Sequence, residues 1–103
     1  MLSERGYIQE DALNELAKYT DLIECECPNH LMAILKQVRE FSAYTASCIT
    51  KYPKDAPTHK WLLGAAGNLD SLLSNTIVQL ARMEGFIDEG NKFVPRAEVK
   101  KVE

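Results

Sequence analysis

An all-α fold is predicted for this 103-residue chain by three observations. Apolar residues recur at three- and four-residue steps from Leu31 to Tyr52 and again from Trp61 to Met83, the spacing of one helical face. Prolines punctuate the chain at Pro28, Pro53 and Pro57, between those runs and not inside them. The connector between the two long runs is short enough to force antiparallel neighbours. The expected architecture is a long antiparallel helical hairpin plus a short N-terminal helix, dimerising into a four-helix-bundle-like core. One domain, 1–103, is expected at this length.

The first helix is predicted over about 9–19. Ala12, Leu13, Leu16 and Ala17 share a face, and Glu10 and Asp11 stand in the first turn, where acids suit the helix dipole. The second is predicted over about 29–52, starting at Asn29 or His30. Pro28 biases Cys27 away from the helical region, and Asn29 carries an oxygen suited to capping. Its face runs through Leu31, Ile34, Leu35, Val38 and Phe41, with Lys36, Arg39 and Glu40 off it. The third is predicted over about 57–84, with Asp55 as its cap and Gly85 ending it. Gly64 and Gly67 inside it cost about 1 kcal/mol each relative to Ala, which implies that another backbone comes close there. Phe86 to Val94 forms a short apolar flap, and 95–103 is expected to be a flexible tail.

Composition excludes several functions. Net charge is −3, with an acidic head and a mildly basic tail. No cluster of Lys and Arg would neutralise several phosphates, so no direct nucleic-acid binding is expected. No apolar run approaches the roughly 20 residues of a membrane span, and Met1 to Gly6 lacks the apolar stretch of a signal peptide. A cytoplasmic protein with reduced thiols is expected. No glycine-rich phosphate loop, G-x-S-x-G or H-E-x-x-H is present, so no enzyme is expected.

Chemistry-capable residues concentrate at Cys25-Glu26-Cys27-Pro28-Asn29-His30. Cys25, Cys27 and His30 are acceptable zinc ligands that lack a local fourth. The hairpin brings Glu84 and Asp88 to the same end, whereas Cys48 lies about 27 Å along the second helix. A thiolate at a helix N-terminus also invites redox chemistry, opposed here by Glu24 and Glu26. Cys27-Pro28 is the dipeptide of haem-responsive motifs. Cys25, Cys27, His30 and Glu84 are therefore the metal or redox candidates. They give a metal, haem or redox sensor as the alternative reading, whereas the main reading needs no cofactor.

The run Ile23 to Leu31, then Phe41 to Cys48, Asp55 to His59 and Ala81 to Gly85, carries the pattern C-x-C-P-x-H-L, F-x-x-Y-x-x-x-C, D-A-x-x-H and E-G. In these marks the chain resembles a small uncharacterised bacterial all-helical domain. That domain is found alone or C-terminal to the helix-turn-helix of MerR-type transcription regulators. The resemblance covers about Asp21 to Phe86 and implies a regulatory or assembly module without a specific ligand. Tyr52-Pro53 stands where relatives carry Ser-Pro, and no DNA-binding half is present, so promoter binding is not expected.

The apolar stripe of the third helix is wider than one neighbour can cover. Trp61, Leu62, Gly64, Gly67, Leu69, Leu73, Ile77 and Leu80 are the candidate oligomer interface. A homodimer is the expected form, acting as a non-enzymic regulatory or scaffolding module through homo-oligomerisation and contacts with a protein partner.

Overall fold

Glu10 and Asp11 do open a helix, and in the computed structural model α1 covers Glu10–Ala17. The structure describes residues 1–3 and 6–99. α1 stops short of the expected 19 because Lys18 and Tyr19 tighten toward Glu15 and Leu16 and lead into a 3-10 turn, Thr20–Leu22. That turn carries the Tyr19 ring inward against Phe86 and Phe93, with centroids 5.6 and 5.4 Å away, and its hydroxyl donates to the Val94 carbonyl at 2.6 Å.

α2 runs Cys27–Lys51, two residues ahead of its expected start. Pro28 sits in the first turn, where its missing N–H costs nothing, so the proline opens this helix instead of preceding it. Asn29 is not the cap. Its amide donates to the Glu26 carboxylate at 3.1 Å. After a 3-10 turn at Pro53–Asp55, α3 runs Ala56–Met83 with Asp55 at the cap position but without a capping side-chain bond. Gly85, at φ +80°, ends α3 in the left-handed region. Its N–H reaches the Arg82 carbonyl and that of Phe86 reaches Ala81, the paired bonds of a Schellman motif.

α2 and α3 pack antiparallel along their whole length, and the remaining segments cover only one end and one side of that hairpin. In the N-terminal segment Leu2 pairs with Ile8 through an isolated antiparallel bridge. The flap turns back in the same way, pairing Ile87 with Phe93, while Asp88 accepts from Gly90 and Lys92. The expected tail is partly ordered. Arg96–Glu98 forms a 3-10 turn and Val99 packs on the core, while residues 100–103 lie outside the described chain. Ile8, Leu16, Leu35, Ile77 and Phe86 centre that core, at the end of the hairpin away from Pro53. The result is a rod of 54 × 25 × 17 Å, with no strand among the described residues.

Arg39 corrects the expectation that it faces away. Half-buried, it donates two bonds to the Asp70 carboxylate, at 2.9 and 3.2 Å, one to the Ile8 carbonyl at 2.7 Å and one to Glu10 at 2.8 Å. Asp70 is 5% exposed, and a carboxylate that buried needs such a partner. Its second support is Ser74, fully buried, whose hydroxyl donates to Asp70 and accepts the N–H of Ile8, both at 2.9 Å. One polar node thereby joins α2, α3 and the N-terminal segment. The Asp70 hydrogen bond raises the Arg39 pKa, so the node's cation stays charged throughout the usable pH range.

The glycine expectation also needs correction. Among the described residues, apart from its chain neighbours and the backbone of its own helical turn, nothing lies within 4 Å of where a Cβ on Gly64 would stand. At Gly67 the close neighbour is a side chain and not a backbone, the Tyr7 hydroxyl 2.5 Å from such a Cβ.

Two outcomes test this account by chemical denaturation. Arg39→Ala strands a buried carboxylate and should cost about 3 kcal/mol, the lower end for breaking a buried pair. Glu10→Ala removes only an exposed partner and should cost under about 1 kcal/mol. Separately, Gly64→Ala should stabilise by about 0.5–1 kcal/mol through helix propensity alone. Gly67→Ala should gain less or lose stability, because Tyr7 must move.

Candidate functional site

The opening cluster sits where α2 begins. Cys27 is the first residue of α2 and exposed, Cys25 is half-buried against the core, and the Cys27 N–H donates to Cys25 Sγ at 3.4 Å. His30 is exposed on the first turn, and Glu84 is buried at the end of α3. Among the described residues no group of three His, Cys, Asp or Glu side chains is placed to hold a metal ion. Cys25, Cys27, His30 and Glu84 therefore share an end of the hairpin without converging, and Asp88, out on the flap, does not complete them. Cys25 lies ahead of α2 and half-buried, Cys27 and His30 stand exposed on its first turn, and Glu84 is buried beyond the end of α3. All three cysteines are thiols.

Cys48 lies at the other end, buried in the hairpin. Its ionised form would repel the neighbouring Tyr44 phenolate, and this, with a hydrogen bond between them, raises the Tyr44 pKa above the usual tyrosine value. His59 packs against Tyr52 with ring centroids 6.2 Å apart, so it faces an aromatic neighbour and not an oriented acid. Thr45 Oγ1 and His59 Nδ1 are buried without a hydrogen-bond partner.

The more extensive feature is apolar. Looking down α3, the residues that meet the core, among them Ala66, Asp70, Ser74 and Ala81, lie on the side opposite Trp61, Leu72 and Met83. Trp61 is 71% exposed, and Leu72 and Met83 are each 65% exposed. On α2, Ile34, Phe41 and Tyr44 are exposed in the same manner. Between the two helices Leu31, Leu72, Leu80 and Met83 line a groove of about 520 Å³ whose end is Cys27. One broad apolar face is thus open to solvent on both helices.

This face keeps part of the expected interface and removes part. Trp61, Gly64 and Leu69 are exposed, and Leu62 and Leu80 are half-buried at the edge. Ile77 is buried in the chain's own core, Leu73 packs against it and Gly67 lies under Tyr7, so these three are already covered. Leu72, Met83, Ile34, Phe41 and Tyr44 were not among the interface candidates. On α3 the signal that finds Leu72 and Met83 is the line opposite the core-facing one, whereas Ile34 and Phe41, which the sequence places on the packed face of α2, are corrected by the structure to 46% and 42% exposed. Asp70, a lone acid inside a leucine-rich stripe, was the signal for the node.

Comparison with protein-family models, with curated proteins and with solved structures gave no match to this chain. No helix among the described residues is long and apolar enough to cross a membrane.

The thiols give a direct check on the geometry. In native protein an aromatic disulfide reagent should modify Cys27 rapidly and Cys48 far more slowly. Equal rates at both would mean that the hairpin opens around Cys48.

Proposed function

We propose that this protein is a non-enzymic helical module that works by self-association and protein–protein contact, in a regulatory or scaffolding role in the cytoplasm. The observation that supports it is the open face. Monomeric proteins rarely leave a contiguous apolar patch larger than a few hundred Å² in water, and here large side chains stand bare on two adjacent helices. The rod's 54 × 25 Å outline offers more than the roughly 800 Å² per partner that a standard interface buries. The resemblance to a bacterial domain that accompanies MerR-type regulators supports the regulatory setting. Three cysteines kept as thiols suit a reducing compartment.

The metal form of the sensor alternative has no three-donor group among the described residues to support it.

Native mass spectrometry with light scattering tests the reading. The mass should be at least twice 11.6 kDa at micromolar concentration, and Leu72→Glu should return it to one chain while keeping the helical spectrum. A monodisperse monomer of the parent protein would overturn the proposal.

A further inference from the structure

We infer that the occupant of the open face is a second copy of this chain laid antiparallel across it. α2 then packs on α2 and α3 on α3, about a two-fold axis that crosses the rod at Gln37–Val38 and at Leu72. The inference rests on the self-association reading and adds the partner, the axis and the orientation.

A symmetric pair requires that the face complement itself, residue against residue, about one line. Each helix supplies such a line independently. On α2, Ile34 and Phe41 are equidistant from the point between Gln37 and Val38, and so are Leu31 and Tyr44. On α3, Trp61 and Met83 are equidistant from Leu72, itself at the centre of the exposed stripe. The Arg39–Asp70 pair fixes how these centres relate. With residue 39 beside residue 70 and the helices antiparallel, Gln37 falls beside Leu72. The two centres coincide, and one axis serves both helices.

About that axis large meets large. Ile34 faces Phe41 of the second copy, Leu31 faces its Tyr44, and Leu72 meets Leu72. Trp61 reaches the groove that ends at Met83, where an indole edge and a thioether make a favourable contact.

Charge excludes the other two-fold arrangement, in which the axis runs along the helices and the hairpins lie parallel. The hairpin tip carries Lys51, Lys54 and Lys60 against the single acid Asp55. The turn into α2 at the opposite end carries Asp21, Glu24 and Glu26 with no Lys or Arg between Thr20 and His30, the basic side chains of that end, Lys18, Arg82, Lys92 and Arg96, standing after α1, on α3, on the flap and beyond it. A parallel pair would stack lysines on lysines and acids on acids. The antiparallel pair lays each basic tip over the acidic turn of the other copy. These exposed charges set orientation, and the apolar face sets affinity.

Two experiments test it. In the full chain with its native cysteines, Lys51→Glu with Lys54→Glu, and Asp21→Lys with Glu24→Lys, should each weaken association about tenfold at low salt. An equimolar mixture of the two variants should regain the parent affinity. In a second background carrying Cys25→Ser, Cys27→Ser and Cys48→Ala, Leu72→Cys should oxidise to a linked dimer, while Lys54→Cys should not. A dimer that links through position 54 but not 72, or a mixture no tighter than its components, overturns the antiparallel arrangement and leaves self-association standing. A parent protein that stays monomeric overturns both.

Discussion

The fold depends on a charge that has no business being inside it unless it is answered. Asp70 sits in the middle of α3, nearly sealed from water, and its carboxylate is met from two directions by Arg39 and Ser74. Each of those groups has a second attachment to the backbone of Ile8, Arg39 to the carbonyl and Ser74 to the N–H. An apolar contact would tolerate sliding by a turn. A planar guanidinium on a carboxylate does not, because both bonds require one geometry. The node therefore fixes the register of α2 on α3 and the place of the N-terminal segment at once. Everything said about which residues stand level across the hairpin follows from it.

Helix identity was legible in the sequence because it depends on local rules. The three- and four-residue periodicity marked α2 and α3, and Pro53 and Pro57 marked the turn between them. Gly85 marked the end of α3 because few other residues adopt its left-handed backbone without strain. What failed were features set by distant partners. Arg39 looked like a surface residue because its position relative to the core stripe is polar, and only the arrival of Asp70 and Ile8 makes it internal. Pro28 has two local meanings, the residue before a helix or the first turn of one, and burial against Met32 and Phe86 selects the second. The segment before Gln9 has too few periodic positions to predict any element.

The candidate site was legible only as a direction. That α3 has more apolar surface than one neighbour can cover was readable from its composition, but the side left bare was not. Ile77 and Trp61 belong to the same apolar stripe in sequence, and the fold buries one and exposes the other because Leu2, Ile8 and the flap pack on a single flank. The cysteine cluster shows the converse. Close spacing in sequence suggested a shared centre, and among the described residues no three of those donors are placed to hold a metal ion.

That one-sided covering also divides the rod into unequal halves. Near Ile8 and Phe86 the hairpin is wrapped by α1, the N-terminal segment and the flap, whereas toward Pro53 it is two helices thick. In that thin half Thr45 and His59 each hold a buried polar atom without a partner, a penalty of about 1–3 kcal/mol apiece. Local opening follows the lowest density of buried contacts, so the tip, with no third segment packed on it, is where α2 and α3 separate most readily. The molecule behaves as a clasp with one fixed jaw, in which backbone protection rises from the turn toward the node.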